Sequence, residues 1–238
     1  MAYSTIPKGS LYMDTKLYTG NNSPSNTISG IPFAPDLIWI KARGAATDHV
    51  LFDKVRGVYK SLSPNDSTAE NNNTNQLQTF TSDGWTMGDL DTSNAATTFA
   101  SWNWKANGAG SANTAGSISS TVSANTTSGF SIVQYSGNAT AGATVGHGLG
   151  SVPKMVIVKK TNGVKDWNVY HVGMGATKGM YLNLTNAEQT HGNWNNTTPT
   201  NTVFSIGSDD QVNGSGQTYI AYCFADVQGF SKMGSYTG

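Results

Sequence analysis

The sequence predicts an all-β protein built as two tandem β-sandwich, jelly-roll-like repeat units. Three observations carry that prediction. The apolar runs are short, β-branched and aromatic; clusters of Gly, Asn, Asp and Pro punctuate them; and a block of roughly a hundred residues occurs twice.

Composition bounds what such a chain can be. Only 12% of the 238 residues are charged, 10% are aromatic, and 14 basic residues balance 14 acidic ones. A disordered chain this polar would have few aromatics and a large net charge, so the chain is read as folded. No long block of either sign exists to displace counterions from a nucleic-acid backbone, which argues against that partner. Weak charge repulsion favours association with copies of itself or with other subunits. The single cysteine, Cys223, rules out an intrachain disulfide. Inside Tyr219-Ile220-Ala221-Tyr222-Cys223-Phe224 it reads as a buried core thiol. Residues 1–10 lack the basic start and apolar core of a signal peptide, and no stretch approaches the ~18 apolar residues of a membrane span. Synthesis in a cytoplasm without membrane insertion is therefore expected.

The first unit is assigned to residues 1–107. Strands are expected over 37–40 and 50–52, with turns at Ser63-Pro64-Asn65-Asp66 and Ser82-Asp83-Gly84, whose residues supply preset or positive φ. Trp102 and Trp104 are two apart and so share a face, which is read as the unit's core. Residues 108–128, almost free of large side chains, form a linker or an extended surface strand.

The second unit, 129–228, repeats the first. Pro153-Lys154-Met155-Val156-Ile157-Val158-Lys159 lies over Pro35-Asp36-Leu37-Ile38-Trp39-Ile40-Lys41 at an offset of about 118. The same register places Asp166 over Asp48, Lys178 over Lys60 and Glu188 over Glu70. Upstream, Tyr135-Ser136-Gly137-Asn138 matches Tyr18-Thr19-Gly20-Asn21; downstream, Tyr222 and Phe224 match Trp102 and Trp104. Residues 229–238 echo the opening of the second unit. A terminal strand is expected there, either completing the second unit's sheet or leaving an edge for another chain.

Little in the sequence carries chemistry. Glu70 and Glu188 are the pair a glycosidase would need, but they lie in different units and read as equivalent loop ends. Asp83, Asp89 and Asp91, or Asp209 and Asp210, lack the spacing of a calcium loop. The histidines His49, His147, His171 and His191 are scattered, and His147, in Gly146-His147-Gly148, reads as conformational. No nucleophile elbow, phosphate loop or dinucleotide fingerprint is present. No catalytic residue, metal ligand or cofactor is therefore assigned. Trp85, Trp167 and Trp194 lie near polar loops where an exposed indole could stack on a sugar ring, with core packing the competing reading. Trp194 stands out, flanked by Asn193 and Asn195 in a segment with no other large apolar residue. These five are the candidate glycan or partner contacts.

Residues 129–137, 146–159, 167–171 and 219–238, with the variants at 35–52 and 102–105, resemble a family of virion structural, tail-fibre-like proteins from marine tailed bacteriophages. The resemblance implies a virion component that binds other virion subunits, with no functional residue to carry over. Members often continue past the Gly-Ser-Tyr-Thr-Gly run with which this sequence ends. The expected role is a tail-fibre or adhesin subunit contacting a host-surface glycan. A capsid decoration protein is the alternative, and a polysaccharide depolymerase the third. A homo-oligomer is expected, a trimer by analogy with phage fibres.

Overall fold

A computed structural model describes Ser4 and residues 6–236. The first copy contains β1 (Met13–Thr19), β2 (Asn26–Ile28), β3 (Leu37–Ala42), β4 (Val50–Asp53), β5 (Lys60–Ser61), β6 (Asn71–Asn72), β7 (Leu77–Phe80), β8 (Trp85–Met87) and β9 (Thr98–Trp104). The second adds β10 (Ser111–Asn113), β11 (Ser120–Asn125), β12 (Phe130–Ser136), β13 (Ala143–Gly146), β14 (Pro153–Lys160), β15 (Asn168–His171), β16 (Lys178–Tyr181), β17 (Gln189–Thr190), β18 (Val203–Ile206) and β19 (Thr218–Ala225). Helix is confined to single turns, as at Asp91–Asn94 and Gly192–Trp194. The chain is all-β, as its sequence predicts.

Each copy is a sandwich. In the first, the sheet β1-β9-β3-β4 faces β2-β8-β7 across a core of Ile38, Ile40, Phe52, Trp85, Met87 and Phe99. In the second, the order β12-β19-β14-β15 repeats β1-β9-β3-β4 and faces the pair β13-β18. Its core holds Val133, Tyr135, Val156, Val158, Phe204, Ile206 and Tyr219.

The repetition extends to individual hydrogen bonds. The Tyr18 hydroxyl donates to Ser93 O, and that of Tyr135 to Val212 O, both at 2.7 Å. Tyr18 stacks on Phe99 and meets Trp85 edge-on, while Tyr135 does the same with Tyr219 and Phe204. Asn94 accepts from Asn21 N and donates to Gly88 O; Asn213 accepts from Asn138 N and donates to Gly207 O. The glycine beside this bracket is obligatory, because a Cβ on Gly20 or Gly137 would collide with the backbone of Ala95 or Gly214.

One expectation is resolved and two are corrected. Of the two readings of residues 108–128, linker or extended surface strand, the structure shows the strand: β11 pairs with β12 from Phe130 to Tyr135, and β10 extends the sheet to eight strands. Val122 enters the second core, so even this small-residue segment has an inward face. The terminal strand expected over 229–238 does not form among its described residues, 229–236. Val227 and Ser231 instead bond reciprocally across a turn, and Phe230 packs edge-on against Tyr12. A strand needs a neighbour's backbone, and β12 already has one on each side; residues 237–238 lie outside the described residues.

The second correction concerns Trp104 and its counterpart Phe224. They point away from their own cores, into a seam where the two large sheets pack back to back. Leu37, Trp39, Leu51 and Trp104 of the first copy enter this seam, and so do Met155, Ile157, Val169 and Phe224 of the second. Each of the latter occupies the same repeat position as its partner, so one face of each copy meets the same face of the other, as in an isologous dimer. β19 is consequently covered on both sides, with Tyr219, Ala221 and Cys223 turned to the second core and Ile220 and Tyr222 to the seam. Coverage on both sides explains its unbroken apolar run, since a half-buried strand would alternate.

Candidate functional site

The seam is where a buried polar cluster and an apolar cavity meet. At its centre Arg56 and Asp53, both fully buried, pair at 2.6 Å. The Arg56 guanidinium also reaches Glu70 at 3.1 Å and Leu51 O at 3.1 Å. From the second copy the Tyr222 hydroxyl donates to Asp53 Oδ2 at 2.7 Å. Burial works against the charge on Arg56, but Asp53, Tyr222 and Glu70 outweigh it and raise its pKa. Burial and the neighbouring Asp53 likewise push the Tyr222 phenol far up, so it stays a donor.

Further bonds tie the copies together. Glu70 N donates to Thr161 O at 2.8 Å, and the Trp167 indole donates to Ser63 O at 2.9 Å and Asp66 O at 3.1 Å. The buried Lys159 ammonium reaches Ser67 O of the first copy as well as Lys160 O and Gly163 O. Desolvation lowers its pKa to about 8, against the opposing pull of Asp66 and Asp166.

Closure of the seam is unequal. Next to β5, Leu62 is buried and the turn behind it covers Trp167. The equivalent stretch next to β16 leaves Met180, Leu182 and Leu184 between 37% and 42% exposed. A cavity of about 500 Å³ lies in the seam, and Leu182 is part of its wall. Aromatic side chains dominate it: Trp39 and Trp104 from the first copy, and Phe130, Trp167, Tyr222 and Phe224 from the second. Tyr12, Met13, Met155, Phe230 and Met233, all half-buried, also line it.

The sequence-predicted contacts are not brought together, and four of the five are buried. Trp85 sits in the first core and Trp194 in the second, where it meets Tyr170 edge-on at 5.8 Å. Asn193 is buried beside Trp194, and its amide donates to Asn168 Oδ1 at 2.6 Å. Trp194 lacks apolar neighbours in sequence because its loop inserts one large side chain between the sheets; its partners come from distant strands. Trp167 lies in the seam, stacked on Tyr222. None of these indoles is presented for sugar stacking. Asn195, half-exposed in the left-handed region with φ 49°, is the one that reaches the surface.

Glu70, Glu188, Asp83, Asp209 and Asp210 are engaged structurally. Glu70 and Glu188 hold equivalent ion pairs, with Lys60 at 3.8 Å and with Lys178, which tie the repeated hairpins β5-β6 and β16-β17. Asp210 pairs with Lys160 at 2.9 Å and Lys165 at 3.5 Å, and the hydrogen bond from Lys160 above all lowers its pKa. Asp83 accepts from Gly30 N, and Asp209 from Gln211 N. Among the described residues, no three Asp, Glu, His or Cys side chains gather as a metal site. His147 is fully buried; its Nδ1 accepts from Leu149 N and its Nε2 lies 3.2 Å from Thr200 O, which fixes the turn as its conformational reading expects.

The seam cavity was not anticipated from the sequence. The available signal was the apolar filling of both alternating positions in 155–158 and 219–224, which announces a second buried face. Among known proteins, residues 8–238 match the profile of a family described as a domain of unknown function, DUF7483. No curated protein and no solved structure matches the chain.

Proposed function

Since the chain belongs to the DUF7483 family, whose description carries no activity, we propose that it is a structural component of a tailed-phage virion, a tail-fibre or adhesin subunit. The observation that carries this reading is the use made of its charged groups. The repeated carboxylates hold hairpins together through Lys60–Glu70 and Lys178–Glu188, and Asp53, itself paired with Arg56 inside the first copy, takes a hydrogen bond from Tyr222 of the second. That arrangement suits a rigid building block better than acid–base chemistry, which needs a carboxylate free to exchange a proton with substrate. The repeated motifs at 129–137, 146–159 and 219–238 support the phage assignment by resemblance. With Trp85, Trp167, Trp194 and Asn193 enclosed, contact with a host glycan must use other surface groups, such as Asn195.

Immunogold labelling of intact particles tests the proposal. Label at the tail is expected. Label confined to the head would replace the fibre reading with capsid decoration, and no label on the particle would remove the virion reading altogether. Release of reducing ends from host envelope glycan by the purified protein would contradict a non-enzymatic role.

A further inference from the structure

We propose that the seam cavity binds one uncharged, largely apolar molecule carrying a single hydroxyl or carbonyl group, of the class of a long-chain alcohol or fatty ester. Its volume of about 500 Å³ falls within the range of about 300–1,000 Å³ usual for small-molecule sites, and it lies between two packed units, where such sites concentrate.

The lining dictates the chemistry of the occupant. Among the described residues, no charged side chain contributes to the wall. A carboxylate or ammonium entering it would lose its hydration and find no counter-charge, at a cost that excludes it. Several polar groups in the wall are already engaged: the Tyr222 hydroxyl by Asp53, the Trp167 indole by Ser63 O and Asp66 O, and the Trp39 indole by His49. Ser128 differs. It lines the cavity, is 5% exposed, and its Oγ is buried with no hydrogen-bond partner. A buried hydroxyl left unpaired is unfavourable, and one polar group on an otherwise apolar guest would satisfy it. Met13, Met155 and Met233 are unbranched side chains that adjust to a flexible chain more readily than branched ones.

The test uses the whole protein with the uncharged fluorophore N-phenyl-1-naphthylamine as probe. Saturable binding of one probe per chain is expected, with energy transfer from the wall tryptophans. 1-Dodecanol should displace the probe, and dodecanoate at pH 9 should do so at least about tenfold less well, because its charge is desolvated without compensation. Leu182→Trp, at a half-exposed position, and Met155→Trp should each narrow the cavity and weaken binding. Ser128→Ala should weaken 1-dodecanol by about threefold to tenfold, the effect of one hydrogen bond. Absence of saturable probe binding would overturn the proposal. So would unchanged binding by a Leu182→Trp protein that melts like the parent, and equal displacement by dodecanoate would overturn the uncharged class.

Discussion

Asp53, Arg56 and Tyr222 make the connection between the copies specific as well as apolar. Replacing Arg56 by Met leaves Asp53 fully buried without its counter-charge, and a cost of about 3–5 kcal/mol is expected. Tyr222→Phe removes one donor to Asp53 while the ion pair persists, so about 1–3 kcal/mol is expected. Urea unfolding of the two variants measures both costs, and their order is the diagnostic result. Lys159 makes a different prediction. Its folded pKa, about 8, lies below that of the free side chain, so between the two values the unfolded chain binds more protons and stability rises with pH. The stability of the parent relative to Lys159→Met should therefore increase by roughly 1–2 kcal/mol from pH 7.5 to pH 9.5. The comparison with Lys159→Met is needed because Cys223, whose thiol burial raises to about 12, acts in the opposite sense over the same range. At this scale the sequence was legible where a residue's own type decided its fate: Cys223 is the buried core thiol it was expected to be. It was illegible where partners from distant strands decided, as for Trp194 against Tyr170 or Asn193 against Asn168.

Strands were the most legible elements. The short apolar runs at 37–40, 50–52, 130–133, 155–158, 203–206 and 219–224 all lie in strands, because β-branched and aromatic residues between turn formers have little alternative. Residues 108–128 were harder to read, since Ser, Thr and Ala suit a loop and an edge strand equally; only the adjacent β12 decides between them. The overturned strand at 229–236 has the same cause, as a strand-like sequence there has no neighbour to pair with. The Asn94 and Asn213 brackets hold the first and last strands of each copy in register with the intervening loops. Asn213 is fully buried, and Asn213→Ala would strand Asn138 N, Gly207 O and Thr140 O at once. A loss of at least about 2 kcal/mol in chemical denaturation is expected. Asn213→Asp should rescue little of it, because it restores the acceptor but not the two donors.

Across the whole molecule, duplication and packing are one fact. The copies present the same face to each other, and the residues that fill it, Leu37 with Met155, Trp39 with Ile157 and Trp104 with Phe224, are those that align in the repeat. The alignment could be read from the sequence; the direction of the face could not, because a pair of aromatics two apart says that they share a side and not which side is outward. The cavity follows from imperfect symmetry, in which Leu62 and its turn close one side of the seam while Met180 and Leu182 leave the other partly open. Two sandwiches joined by the buried Tyr222–Asp53 hydrogen bond and a common apolar core should not unfold separately. Scanning calorimetry of the intact chain is the most direct test. A single transition whose calorimetric and van't Hoff enthalpies agree is predicted, and two resolved transitions, or a calorimetric enthalpy about twice the van't Hoff value, would contradict it.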